Sequence, residues 1–301
     1  MSIFERMLST QSLMFVYVVV GGVIAKLGIL RPEGRPSFVA LLLNVTLPCM
    51  ILHSFEQDVG LAELIAAGKI LLISTACCLA SWAIGKLLWR RDTPKRRAVL
   101  EFATMFSNAG SAGLPIVFFV FGKEGVFYAS FFLIPLRVLM WTLGLSLFVS
   151  GGESKWKTLL MTPSLLVVFI GFPMMLCHVK APDVLSRAIA NLGAMTGPLS
   201  MMIIGASLAG VRPREVLDRG AFLLTGVRLL ALPLLTLGAL KALGVEELLW
   251  QVAVTLTAMP AAANTAIIAE MYGRDYPFAA KCVVLSTVLS LVTVPALTLL
   301  F

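Results

Sequence analysis

Two short stretches of this 301-residue sequence carry residue types able to bind a charged solute. SNAGSAGLP supplies Asn108, Gly110, Ser111, Gly113 and Pro115; PAAANT supplies Pro260, Asn264 and Thr265. An asparagine amide both donates and accepts hydrogen bonds. Glycine and proline interrupt an ordinary helix, the first through backbone freedom, the second through its ring and missing N–H. Each stretch lies mid-way along an apolar run, EFATMFSNAGSAGLPIVFFVFG and QVAVTLTAMPAAANTAIIAEMYG. The helix should unwind there and restart near Ile116 and near Thr265. A restarting helix presents an N-terminus worth about +0.5 charge. Two such ends facing one cavity suit a carboxylate. The alternative is a pair of proline kinks capped locally, and this is the better reading for Pro48 and Pro198.

Several charges fall inside or near the ends of apolar runs. Arg137 is mid-run and has two readings: a counter-charge for an anion, or a guanidinium bound to carbonyls of an unwound helix. Lys69, Arg228 and Lys281 are further cations, and Glu101 and Glu270 are acids toward one end of the two interrupted runs. Glu270 is a proton-acceptor candidate or a partner for Lys281, whereas Glu101 and Lys69 can reach the nearer interface. Glu101, Arg228, Glu270 and Lys281 are therefore the coupling or charge-pair candidates. Asn44 lies near the middle of another run and joins the binding candidates; its NVT sequon is set aside because a buried span is not glycosylated. His53 and His178 fall near run ends, where solvation or a local hydrogen bond is the simplest expectation. Cys49, Cys77, Cys78, Cys177 and Cys282 all sit in apolar surroundings and act as small hydrophobes. No nucleophile with a base, no paired aspartates and no metal-ligand spacing emerges, so neither enzyme, metal site nor cofactor is expected. A coupling ion, H+ or Na+, remains an open expectation.

The elements that must position these residues follow from composition. With 59% hydrophobic and 13% charged residues and a mean hydropathy of +0.95, the chain departs from soluble usage. Its apolar runs are long enough to cross a hydrocarbon core of roughly 30 Å as helices, and they lack the alternation of barrel strands. About ten spans result, near 11–28, 36–55, 62–88, 97–122, 125–150, 163–178, 184–208, 220–243, 247–272 and 276–301. The first run has no small-residue cleavage site and is expected to be retained. One side then holds fifteen basic loop residues: Lys26, Arg31, Arg35, Lys86, Arg90, Arg91, Lys95, Arg96, Arg97, Lys155, Lys157, Arg212, Arg214, Arg219 and Arg274. The other holds five: Arg6, Lys123, Lys180, Arg187 and Lys241. The basic side should face the cytoplasm, with both termini outside, in a multi-pass protein of the cell (inner) membrane. The net charge of +8 is then topogenic, and a nucleic-acid partner is not needed to explain it.

The sequence also resembles itself. Shifted by 150 residues, NVTLP meets AMTGP; shifted by 151, FGKEGVFYAS meets YGRDYPFAAK, aligning Gly122 with Gly273, Lys123 with Arg274 and Glu124 with Asp275. This predicts an all-α polytopic membrane protein with a 5+5 inverted repeat: residues 1–151, a short cytoplasmic linker 152–162, and residues 163–301. Five spans per copy is odd, so the second copy enters from the opposite face, as in many secondary transporters. The fourth and ninth helices are the two broken ones, and their crossing would make one cavity.

At these residues the chain resembles the auxin efflux carrier family, including bacterial members described as malonate or other carboxylate permeases. The matching pieces are LNVTLPCMILHSF, SNAGSAGLPIVFFVFGKEGVFYA, GPLSMMIIGASLAG, AMPAAANTAIIAEMYGRD and VVLSTVLSLVTVPAL. The resemblance implies ten helices, crossed fourth and ninth helices marked by Asn108, Pro115, Pro260 and Asn264, and a scaffold and a transport domain each drawn from both repeats. It also makes a homodimer through the scaffold plausible. The expected activity is alternating-access transport of a small organic anion, coupled or as uniport. A membrane ligand sensor using the same cavity without net transport is the rival, and solute flux separates the two.

Overall fold

The computed structural model describes residues 3–56, 60–148, 163–177, 179, 181–209 and 218–301. The expected linker 152–162 and His178 lie outside these residues. Among the described residues the elements are helices, and one isolated antiparallel bridge joins two irregular segments. The helices are α1 (Ile3–Lys26), α2 (Arg35–Ser54), α3 (Leu61–Leu88), α4 (Pro94–Met105), α5 (Leu114–Leu139), α6 (Pro163–Leu176), α7 (Asp183–Ala194) and α8 (Thr196–Leu208), followed by α9 (Arg219–Ala242), α10 (Glu247–Thr257), α11 (Asn264–Met271) and α12 (Tyr276–Thr298).

Five apolar helical stretches are long enough to cross a bilayer: α2, α3, Leu114–Gly144, α9 and α12. The protein is thus a multi-pass membrane protein. Leu114–Gly144 contains a break, because Gly122 adopts φ 65° and ψ −156°, outside helical geometry. An unbroken helix of that length would run about 46 Å, well beyond the hydrocarbon core. Other expected spans are cut by local chemistry. Run 97–122 divides into α4 and the first part of α5, run 184–208 divides at Met195, and run 247–272 divides into α10 and α11.

Prolines explain two local distortions. A wide π turn at Leu42–Thr46 precedes Pro48, and another at Val227–Ala231 precedes Pro233. Widening the helix makes room for a ring that would otherwise meet the carbonyl four residues back. Pro198 sits in the first turn of α8, where a missing N–H is tolerated.

The chain divides into two compact units. Unit one comprises Met1–Gly68, Gly110–Phe131 and Leu160–Val211. Within it α1 and α8 approach backbone to backbone: a Cβ on Gly21 would collide with the Met202 carbonyl, and one on Gly205 with the Val18 carbonyl. Small residues permit such packing where lipid gives helices no hydrophobic reason to associate. Phe55 stands edge-on to Phe127 and Phe131 with centroids 5.7 and 6.0 Å apart. His53 Nδ1 lies 2.9 Å from Glu56 Oε2, which also accepts from Ser186 Oγ at 2.7 Å.

Unit two comprises Lys69–Ala109, Phe132–Leu159 and Arg212–Phe301. Phe102 packs against Phe106 and Phe148, and Ser74 Oγ donates to the Phe132 carbonyl at 2.6 Å. On both units large apolar side chains face outward, such as Leu27 at 68% and Leu72 at 73% exposure, surfaces suited to acyl chains.

Candidate functional site

The two interrupted runs meet in unit two. Helix α4 ends at Met105, and Phe106 turns extended at φ −111°, ψ 120°. Helix α10 ends at Thr257, and the chain stays irregular until α11 begins at Asn264. Asn108 N–H donates to the Pro260 carbonyl at 2.8 Å and Ala262 N–H to the Phe106 carbonyl at 3.1 Å, so Ser107 and Ala261 pair as an antiparallel bridge. Ser107 Oγ donates to the Leu256 carbonyl at 2.9 Å, and Ser286 Oγ accepts from Ala261 N–H at 3.1 Å. Each break therefore supplies the partners that the other lost by leaving the helix.

Arg228 fixes the ends of the helices that stop there. Its Nη1 donates to the Thr104 carbonyl at 2.8 Å, Nη2 to the Thr257 carbonyl at 3.1 Å and Nε to the Met259 carbonyl at 3.2 Å. The side chain is buried, 2% exposed. The C-termini of α4 and α10 each carry about −0.5 charge, so one guanidinium balances the two. The π turn Val227–Ala231 carries this arginine on α9. Arg228 thus has carbonyl partners in place of the carboxylate expected of a charge-pair candidate, the role read from sequence as one alternative for Arg137.

The start of α9 is anchored to the start of α4. Asp218 accepts from Gly220 N–H at 2.8 Å, from Ala221 N–H at 3.4 Å and from Arg96 Nη2 at 2.8 Å, while the Arg96 guanidinium stacks 3.7 Å from the Phe278 ring centroid. Partial burial opposes the Asp218 charge, but the Gly220 N–H, the Arg96 cation and the Ala221 N–H outweigh it and hold the carboxyl below its usual range.

Three polar groups near the breaks, Asn264, Arg137 and Thr265, are less satisfied among the described residues. Asn264 opens α11 and its Nδ2 lies 3.5 Å from Met140 Sδ, a weak acceptor that leaves most of the amide's capacity unused among the described residues. Met140 follows Arg137 by three residues, the spacing of neighbours on one helix face. Arg137 is partly buried and has no hydrogen bond or ion pair to another described residue. Thr265 is fully buried with its Oγ1 unpaired among the described residues.

The structure thus brings Asn108 to Pro260, and Asn264 to the helix of Arg137. Gly110, Ser111, Gly113 and Pro115 belong to unit one, as does Asn44, which is exposed on α2. Unwinding is shorter than expected: residues after Asn108 form a π turn, Ala109–Gly113, and α5 follows at Leu114, before Ile116. Glu101 lies 3.6 Å from Arg97 and Lys69 Nζ bonds Glu246 at 2.6 Å. Lys281 is half-buried on α12, and the Glu270 side chain lies outside the described residues, so their proposed pairing does too. Arg228, Ser107, Ser286 and Thr104 were missed as a framework. Arg228 gave a signal as a cation in an apolar run and Ser107 as the first residue of SNAGSAGLP, whereas Thr104 and Ser286 did not stand out.

A family profile described as "Membrane transport protein" matches residues 7–298. The chain belongs to this family, the auxin efflux carriers. Among its relatives in the family, an "Uncharacterized transporter" of Methanothermobacter thermautotrophicus is 29% identical over 95% of this chain and 96% of its own. Another "Uncharacterized transporter", from Methanocaldococcus jannaschii, is 22% identical over 94% of each chain. A "Putative malonate transporter" of Rhizobium meliloti is 25% identical over 72% of this chain and 70% of its own. As an auxin efflux carrier family member, the protein is a membrane transporter.

Proposed function

We propose that this transporter carries a small organic anion, a malonate-like or auxin-like carboxylate, by alternating access, with the anion held in unit two at the meeting of the two breaks. The carrying observation is the reciprocal pairing of Phe106–Asn108 with Pro260–Ala262 under the Arg228 clamp. Arg228 neutralises the negative helix ends, which leaves the α11 N-terminus, Asn264, Thr265 and Arg137 to offer positive potential and hydrogen-bond donors to a carboxylate. A relative's name as a malonate transporter favours the same substrate class.

In this reading the chain is a ten-helix 5+5 inverted repeat with crossed fourth and ninth helices, in the cell membrane with both termini outside. Gly122 and Gly273, aligned by the internal repeat, both adopt positive φ, 65° and 61°. Unit two serves as the transport domain and unit one as the scaffold, each drawn from both halves. Movement is by uniport or with H+ or Na+ coupling.

The test is solute counterflow in proteoliposomes. Vesicles preloaded with unlabelled malonate, or one of a panel of monocarboxylates and dicarboxylates, should accumulate the labelled compound transiently, and Arg137→Gln should abolish it. Absence of counterflow across the whole panel would overturn the carboxylate assignment.

A further inference from the structure

Unit two holds a cavity that the proposed transport path does not use. Its volume is about 520 Å³, and its wall includes Lys86, Arg90, Pro94, Arg97, Glu101 and Arg274. Four cations face one carboxylate. Glu101 Oε1 lies 3.6 Å from Arg97 Nε, which leaves a positive excess. Arg274 is held in place by bonds from Nε and Nη2 to the Phe148 carbonyl at 3.2 and 2.7 Å, and the Lys86 ammonium sits 4.4 Å from the Trp82 ring centroid.

Two further observations describe the ligand. Helix α4 starts at this wall with Pro94, and Thr93 provides no side-chain cap. Pro94 has no N–H and the Arg97 N–H donates to the Thr93 carbonyl at 2.8 Å, which leaves the Lys95 and Arg96 N–H groups to solvent or an anion. Beside Lys86 and Arg90, Leu87 and Leu88 are 66% and 49% exposed, apolar surface next to a cationic cavity. Phosphate oxygens match guanidinium forks and helix N-termini together.

We propose that this cavity binds the phosphate of an anionic membrane lipid, with the acyl chains lying against Leu87 and Leu88. The bound lipid fixes the corner between α3 and α4 on the basic side of the protein. The inference rests on the membrane setting and is independent of which solute is carried.

The experiment uses the purified full-length protein in a neutral detergent, titrated with short-chain phosphatidylglycerol, short-chain phosphatidylcholine and inorganic phosphate. Binding is read from the rise in thermal midpoint. Phosphatidylglycerol should stabilise most, and the pair Lys86→Gln with Arg90→Gln should weaken its binding on the order of twentyfold. The pair Arg91→Gln with Lys95→Gln removes equal charge outside the cavity wall and should change it less than threefold. Arg97→Gln, a single exposed change, should also weaken binding. Equal losses for the two pairs would mean diffuse surface attraction and overturn the site. Inorganic phosphate or phosphatidylcholine matching phosphatidylglycerol would overturn the anionic-lipid assignment.

Discussion

The amide of Asn108 donates to the carbonyl of Pro260 across 2.8 Å, joining two helix breaks that lie 152 positions apart in the sequence. The bond satisfies backbone groups that lipid could not, and it keeps the adjoining side chains of Asn108 and Asn264 in one unit of the protein.

Removing the Asn264 amide should therefore affect binding more than folding. Asn264→Ala leaves the backbone bridge intact and, among the described residues, loses only a thioether contact. Apparent affinity for the transported anion is expected to fall tenfold or more, as for a hydrogen bond to a charged group. The thermal midpoint should move by no more than a few degrees.

Arg228→Gln should destabilise the protein itself. Three carbonyls at two helix ends lose a charged donor, a change worth roughly 3 kcal/mol or more. Arg228→Lys should recover little, because an ammonium cannot reproduce the planar fork. Thermal unfolding in detergent checks both.

Gly205→Leu should separate α1 from α8, since even a Cβ there collides with the Val18 carbonyl. The expected outcome is poor expression or a thermal midpoint lowered by more than that of Gly238→Leu, a glycine with open space around it. Fluorescence size-exclusion chromatography of the two variants makes the comparison.

Asp218 gives a pH dependence with a definite sign. Its carboxyl titrates below the unfolded value, so its ionised form favours the folded state. That contribution is present above the unfolded value near 3.9 and is lost as pH falls through the lower native value. Asp218→Asn keeps a helix cap and removes the charge. Wild type should be more stable than the variant at neutral pH, by about 1 kcal/mol or less, with the gap closing below about pH 4. Thermal midpoints of both proteins across that range test the sign.

The sequence carried the helix ends well wherever one residue type decides them. Apolar runs placed α2, α3 and α9 within one residue at each end and the start of α12 at Tyr276, with α12 ending three residues sooner than its run, and aligned glycines marked both positive-φ turns at 122 and 273. The positions of both breaks were legible from Asn108, Pro260 and Asn264. Their extent was not, because small residues at 109–113 accept a wide turn in place of full unwinding. The partners of Arg228 were hidden as well: backbone carbonyls carry no residue-type signal, and Thr104 lies 124 positions away. Arg97, one turn before Glu101, was a local pairing that helical spacing could have supplied.

The most direct test is uptake of radiolabelled malonate and related small carboxylates into proteoliposomes, with proton, sodium and voltage gradients imposed separately. The account predicts saturable uptake above protein-free vesicles for at least one carboxylate, cut about tenfold by Asn264→Ala at subsaturating substrate. Flux equal to that of empty vesicles for every carboxylate, or saturable flux that Asn264→Ala leaves untouched, would contradict it.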